Sequence, residues 1–132
     1  MTLCHVSAAN ISLSASQEFI LTWEKEEDNK HHTKPEYLKI LKDGDYTVSY
    51  VITWGSLNQT TQPLQITIYK VSKEFTMLPI QQNVTVCTGK PVTLKKKFSF
   101  DLSPGERICI GAKNFSTVDF ILMKCQLSLA QI

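Results

Sequence analysis

The sequence lacks a long apolar run. None of its 132 residues falls in a stretch approaching the roughly 18 consecutive apolar residues of a membrane-spanning helix, and no charged-then-apolar leader opens it. If the protein is secreted or anchored, we therefore expect its targeting segment to be absent from this sequence. The formal net charge of +2 favours neither a nucleic-acid partner nor a membrane surface.

The residue patterns of known catalytic and metal sites are also missing. The chain has 3 histidines, and the adjacent His31 and His32 point to opposite faces if extended, so we expect solvated side chains rather than a chelate. The acidic run 24–28 lacks the spacing of a calcium loop, and no Cys-x-x-Cys pair indicates zinc. The basic run 95–97 has no stacking aromatics for nucleic acid, and protection of a strand edge explains it better. We predict no enzyme, no metal, no cofactor and no nucleic-acid partner.

The asparagines indicate the compartment. Four of the five lie in Asn-x-Ser/Thr sequons, namely Asn10, Asn58, Asn83 and Asn114. Such a motif marks N-glycosylation in secreted proteins, and chance matches in a Ser/Thr-rich sequence are the alternative. We predict an extracellular glycoprotein.

The four cysteines fit an oxidising compartment. An even count is typical of two disulfides, and four cysteines allow three pairings. Free buried thiols are the alternative, and the residues alone leave both open.

Alternation of apolar and polar residues is the dominant pattern, as in half-buried strands. One face of the segment 46–54 carries Tyr46, Val48, Tyr50, Ile52 and Trp54. Segments 64–68 and 98–102 repeat the alternation, whereas no window shows a helical stripe. Strands roughly 10 residues apart, with turns between them, predict a single all-β domain over residues 1–132, either a sandwich or a barrel.

Residues 98–111 alternate on both sides of a Ser-Pro-Gly-Glu turn, which predicts a hairpin. Residues 120–123 are instead apolar on both faces. Such a strand lies centrally under a second layer, or another chain covers its outer face. The core residues predicted in these strands are Tyr46, Val48, Tyr50, Phe98, Phe100, Leu102, Phe120 and Leu122.

Three segments in order resemble the extracellular domains of tumour necrosis factor (TNF) superfamily ligands. "FDLSPGERI" (100–108) is similar to the family's aromatic-x-Leu pair and Gly-acid turn, and "DGDY" (43–46) is similar to its Gly-x-Tyr segment. "VDFILMKCQL" (118–127) occupies the place of the last strand. The resemblance covers residues 37–127, and residues 1–36 supply N-terminal strands and a charged loop.

The sequence also departs from the family pattern. Phe120-Ile121 stands where many members have an aromatic residue followed by glycine, and the frequent tryptophan of the N-terminal segment is missing, although Trp23 lies nearby. With its short length, this drift resembles the small divergent members, the glucocorticoid-induced TNF-receptor ligand and the OX40 ligand. "EFILTWEKEED" (18–28) is similar to the opening of the latter.

The resemblance implies a two-sheet antiparallel jelly-roll sandwich that forms a homotrimer about a threefold axis. It also implies a type II membrane anchor outside this sequence, and a cysteine-rich TNF-receptor-family receptor that the ligand clusters on immune cells, as in T-cell co-stimulation. The residues that the resemblance places on the threefold axis, Thr47, Ser49 and Val51, are small and mostly polar, so we expect a weak trimer. Ile121 and Met123 complete the implied interface.

The implied fold places the first and last strands side by side, which pairs Cys4 with Cys125 and leaves Cys87 with Cys109. By the same analogy, the receptor-binding surface consists of loops. Its candidate residues are Glu26, Asp28, His32, Asn58, Thr61, Lys70, Lys73 and Glu74.

Three other kinds of β-sandwich remain as alternatives. An immunoglobulin-like adhesion domain would need a cysteine at a suitable distance before Trp54, and Cys4 is too far away. A complement-type globular head shares the jelly roll and the trimer but usually follows a collagen stalk. A lectin or a hydrolase with a site hidden from sequence reasoning is the third.

Overall fold

The computed structural model describes residues 2–24, 29–32, 34–55, 62–87, 91–115 and 119–132, without the side chains of Gln62, Cys87 and Phe120. Its strands form two antiparallel sheets. The first sheet has the order β1-β9-β4-β7, and the second has the order β2-β8-β5-β6, with β3 paired to β8. The strands are β1 (Thr2–Leu13), β2 (Glu18–Ile20), β3 (Leu38–Lys39), β4 (Gly44–Gly55), β5 (Gln62–Val71), β6 (Met77–Cys87), β7 (Val92–Leu102), β8 (Arg107–Asn114) and β9 (Phe120–Gln131). The all-β, two-sheet jelly roll predicted from the sequence is confirmed.

The core lies between the two sheets, and β4 shows how the sequence builds it. Alternate residues of β4 from Tyr46 to Trp54 are at most 1% exposed, because β4 pairs with β7 on one side and β9 on the other and turns one face towards the second sheet. Leu127 and Leu129 of β9 and Ile66 and Ile68 of β5 are buried in the same core. Burial of such side chains stabilises the fold by about 1.5–3 kcal/mol each.

The predicted hairpin at 98–111 is wrong. β7 pairs with β4 in the first sheet, whereas β8 pairs with β5 in the second. The Ser103–Glu106 turn, closed by the Glu106 N–H donating to the Ser103 oxygen at 3.1 Å, therefore crosses from one sheet to the other. Alternation alone cannot distinguish the two connections, because both flanking strands turn apolar residues towards the same core.

The residues predicted for the core differ in their burial. Tyr46, Val48, Tyr50, Leu102 and Leu122 are buried. Phe98 and Phe100 of the edge strand β7 are partly buried and pack against the core. The Phe120 side chain lies outside the described part of the structure.

Both predicted disulfides are wrong, since Cys4, Cys109 and Cys125 are free, buried thiols. β1 and β9 are neighbours as expected, but Cys4 lies opposite Leu129 and Cys125 lies opposite Ala8. Four residues of strand, about 13 Å, separate the two cysteines, well beyond the span of a disulfide. The second pair is further apart: along β5, Cys87 lies level with Gln62 and Cys109 with Tyr69.

Candidate functional site

A cluster of Tyr37, Phe75 and Arg107, here called the Phe75 cluster, lies beside the β5–β6 connection. The Phe75 ring is 58% exposed, and its centroid lies 6.3 Å from that of Tyr37. The Arg107 guanidinium carbon lies 4.6 Å from the Phe75 centroid, which is a cation–π geometry. The cluster therefore presents an aromatic surface with a positive charge to solvent.

The backbone of the connection fixes Phe75 in this position. The Phe75 N–H donates to the Ser72 oxygen at 2.9 Å, and the Ser72 N–H donates to the Thr76 oxygen at 3.0 Å. Phe75 has φ of 63°, a left-handed conformation that bulky residues rarely adopt. A costly conformation with an exposed aromatic ring is more typical of a binding site than of a simple turn. Sequence reasoning singled out the neighbouring charges and missed Phe75, although an aromatic residue within a turn was a usable signal.

Charged groups surround the Phe75 cluster. The Lys70 Nζ lies 3.3 Å from an oxygen of Glu106 in an ion pair, and the Arg107 guanidinium donates to the Gly105 carbonyl at 3.3 Å. Lys73 and Glu74 are exposed in the turn. Three of the predicted receptor-binding residues (Lys70, Lys73 and Glu74) thus lie along the segment that leads to Phe75.

Of the other predicted receptor contacts, the structure describes His32. The prediction that His31 and His32 are solvated is wrong, because they are 7% and 4% exposed. The His31 Nδ1 lies 3.0 Å from the Lys39 oxygen, and the His32 Nε2 lies 3.5 Å from the Pro35 oxygen. His32 is therefore unsuited to contact a receptor. The remaining candidates lie outside the described residues: Glu26, Asp28, Asn58 and Thr61.

The solvent-facing side of the first sheet carries the predicted trimer residues. Thr47, Ser49 and Val51 form a half-buried row on β4, and Ile121 and Met123 are 46% and 45% exposed on β9. Thr53 pairs with Lys124 but Trp54 pairs with Leu122, so Met123 is the extra residue of a β-bulge. The bulge leaves the consecutive residues Met123 and Lys124 exposed. The side chains on this side of the sheet are small and mostly polar in the centre and apolar at one end.

The sequons lie in different environments. Asn10 is exposed on β1, with φ of 55°, and Asn58 lies outside the described residues. Asn114 is fully buried, and its Nδ2, the atom that a glycan would modify, donates to the Leu13 oxygen at 3.2 Å. The prediction of a glycan on Asn114 is therefore wrong for this fold. The Nδ2 of Asn83 is also buried.

The buried thiols are poor nucleophiles, because burial disfavours their thiolate form. Burial raises the pKa of Cys125 to about 12, and burial, aided by the charges of Glu18 and Glu36, does the same for Cys109. Burial also raises the pKa of Cys4. Thiolates are the reactive form of cysteine, so these residues act as apolar side chains of the core.

Among the described residues, no group of three or more His, Cys, Asp or Glu side chains is arranged to hold a metal ion. No helix in this part of the chain combines the length and apolar character required to cross a membrane.

Comparison with known proteins identifies the fold of the chain. No protein-family model and no curated protein matches the chain. The structure of Eiger TNF from S. frugiperda is similar, with a TM-score of 0.68 and 12% identity, over 100% of this chain and 94% of that one. Murine APRIL is similar, with a TM-score of 0.62 and 8% identity, over 98% and 100%. Neither points to the glucocorticoid-induced TNF-receptor ligand or the OX40 ligand. The chain has the jelly-roll fold of TNF ligands.

Proposed function

We propose that this protein is an extracellular, non-enzymatic ligand that binds and clusters a cysteine-rich receptor of the TNF-receptor family. The Phe75 cluster is the observation that carries the proposal. A rigidly held aromatic ring beside an arginine is the composition typical of residues that dominate binding energy in protein interfaces. The fold supports the proposal, since the similar structures include a TNF and APRIL.

The proposed assembly is a homotrimer built on the solvent-facing side of the first sheet. Ile121 and Met123 supply exposed apolar surface at one end, and the row Thr47, Ser49 and Val51 allows close approach because its side chains are small. The polar centre gives little apolar burial, so the trimer is weak and dissociates on dilution. Receptors bound to three protomers gain affinity by avidity.

The proposed setting is the cell surface or the extracellular medium, with a type II membrane anchor outside this sequence. Signalling in immune cells, including T-cell co-stimulation, is the proposed consequence of clustering. The finer resemblance to the glucocorticoid-induced TNF-receptor ligand or the OX40 ligand belongs to the same proposal and rests on the sequence segments alone.

Two measurements test the proposal together. Light scattering across a dilution series is expected to give three times the 14.9 kDa protomer mass plus glycans at high concentration, with dissociation at low concentration. A panel of TNF-receptor-family ectodomains, each presented as a monomer and as a dimer, is expected to contain a receptor that the trimer binds more tightly in the dimeric form. A monomer at every concentration that binds no receptor of the panel would favour a single-chain adhesion or lectin sandwich instead.

A further inference from the structure

Strand β6 turns its polar residues towards the core and its apolar residues towards solvent. Asn83 lies opposite Ile66, and Thr85 lies opposite Leu64, both of which are buried core residues. Val84 is 60% exposed on the other face. Since a strand with one buried face normally carries its apolar set on that face, the amphipathic pattern of β6 is inverted.

The inversion has a visible cost at Asn83. Its Nδ2 is buried without a hydrogen-bond partner, and so is the hydroxyl of Tyr50. The two side chains approach each other: the Asn83 amide lowers the Tyr50 pKa, although burial has the larger effect and raises it to about 12. Neither group completes a hydrogen bond of good geometry, and buried polar groups without partners destabilise a fold.

A β-bulge produces the inversion. Tyr69 pairs with Pro79, but the preceding Ile68 pairs with Gln81, so Ile80 is an extra residue in β6. One extra residue exchanges the two faces of everything that follows it in the strand. The bulge lies immediately before the segment whose pattern is inverted.

Removing the bulge restores the normal pattern. If Ile80 paired with Ile68, the segment 80–87 would move by one residue, about 3.3 Å. Val84 would then lie opposite Leu64, and Val86 would also face inwards. Gln81, Asn83 and Thr85 would turn to solvent. Gln82 would turn inwards and would be the one amide side chain of 80–86 that faces the core.

The slipped register also exposes a modification site. Asn83-Val84-Thr85 is an N-glycosylation sequon. Glycan transfer forms a bond between Nδ2 and the first sugar carbon, breaks the bond from that carbon to the pyrophosphate of a lipid-linked donor, and releases a proton from the amide. In the described register, Nδ2 is buried and has no room for a sugar. In the slipped register, Asn83 lies on the solvent face, opposite Gln65.

We propose that β6 has two registers and that an N-linked glycan on Asn83 selects the slipped one. The unmodified chain keeps the bulge at Ile80 and exposes Val84 and Val86, whereas the glycosylated chain loses the bulge and buries both valines. The modification thereby exchanges an exposed apolar edge for a polar, glycosylated one. The inference uses one part of the proposed function, passage through the secretory pathway, and is independent of receptor binding.

Thiol labelling distinguishes the registers. Val84→Cys and Gln81→Cys are made separately in a Cys87→Ser background, so that both variants keep Asn83 and Thr85. Each is produced by secretory cells in the glycosylated form and, with Asn83→Gln added, in the unglycosylated form. The rate of maleimide labelling at each engineered cysteine is followed by peptide mass spectrometry, which separates it from the buried native thiols.

Without the glycan, Val84→Cys is expected to react faster than Gln81→Cys, and with the glycan the order of the two rates is expected to reverse. The same order in both forms would overturn the proposal. An unmodified Asn83 in protein that carries a glycan at another sequon would also overturn the proposal, while passage through the secretory pathway would still hold. Protein without any glycan would contradict both the proposal and the passage through the secretory pathway.

Discussion

The hydroxyl of Tyr69 donates a hydrogen bond of 2.6 Å to Oε1 of Glu18 and so connects β5 to β2 across the strand between them. That strand is β8, and Gly111 lies under the bridge. A Cβ at Gly111 would lie 2.8 Å from Cε2 of the Tyr69 ring and 3.2 Å from the Glu18 carboxyl carbon. Burial, together with the Glu18 hydrogen bond and charge, raises the pKa of Tyr69 to about 12. Glycine is therefore required here for close packing.

Gly111→Ala is expected to lower the free energy of unfolding by about 1–3 kcal/mol, because the methyl group overpacks the site and displaces the Tyr69 ring. Tyr69→Phe removes the hydrogen bond without a steric change and is expected to cost about 1 kcal/mol. Urea unfolding followed by fluorescence measures both. If Gly111→Ala were as stable as the parent, the ring would not be confined between β2 and β5.

Alkaline pH is expected to destabilise the protein through its buried thiols. Burial raises the pKa of Cys109 and of Cys125 from 9.0 to about 12 in the folded state. Below about pH 9 the thiol is protonated in both the folded and the unfolded chain, so its full contribution to the free energy of unfolding is present. Between about pH 9 and pH 12 only the unfolded chain ionises, and the contribution is lost. In that range the free energy of unfolding falls with a slope that approaches about 1.4 kcal/mol per pH unit for each thiol.

Urea unfolding at pH 8, 9 and 10 with a reductant is the measurement for these thiols. Cys125→Ala is the control variant, since it is expected to be less stable at pH 8 but to show a shallower decline with pH. A decline that begins below pH 8 would contradict this assignment.

The buried Asn114 is expected to be structural and unmodified. Asn114→Ala leaves the Leu13 oxygen without the donor now 3.2 Å away and is expected to cost about 1–3 kcal/mol. Asn10→Gly is the matched control: Asn10 is an exposed sequon residue with φ of 55°, a conformation that glycine adopts freely, so this variant is expected to have little effect on stability. Mass spectrometry of protein from secretory cells is expected to find Asn114 free of glycan, and a glycan there would show that the described packing around β8 is wrong.

The sequence predicted β4 well, because a strand with partners on both sides and one face on the core must alternate with period two. It made no prediction for β6, where the bulge at Ile80 exchanges the two faces of the strand. The disulfide predictions failed because of the register: the pairing of β1 with β9 follows from fold resemblance, whereas the offset between Cys4 and Cys125 depends on a register that only the folded chain fixes.

The candidate site was less predictable than the fold. Lys70, Lys73 and Glu74 were predicted as receptor contacts by analogy with the loops of the resembling family, and they lie in or beside the turn that carries Phe75. Phe75 was missed because its importance depends on φ and on contact with Arg107, 32 residues away in sequence. The burial of His32 also depends on tertiary structure, because the turn 29–32 folds back towards β1: the Asn29 side chain donates to the Leu3 oxygen at 3.1 Å.

The trimer interface is expected to depend on Met123. Met123→Glu places a charge in the apolar end of the proposed interface and is expected to raise the trimer dissociation constant by at least about tenfold, or 1.4 kcal/mol. Phe115→Glu is the matched control. Phe115 is also 45% exposed, but it directly follows β8, a strand of the second sheet. Sedimentation velocity across a concentration series measures both variants. Equal dissociation constants would exclude the solvent-facing side of the first sheet as the interface.

The last prediction concerns Phe75. Phe75→Ala is expected to weaken binding to a receptor identified in the panel by about 30-fold, or 2 kcal/mol, because it removes the exposed ring of the cluster. Since the ring is 58% exposed, the stability of the protein is expected to change little. Phe75→Asn is the control for backbone strain: asparagine tolerates the left-handed conformation, so this variant keeps the turn while it removes the ring. If Phe75→Asn binds as weakly as Phe75→Ala, the ring contributes the affinity. If it binds like the parent, the conformation of the turn contributes the affinity, and the proposal that the Phe75 ring dominates receptor binding is wrong.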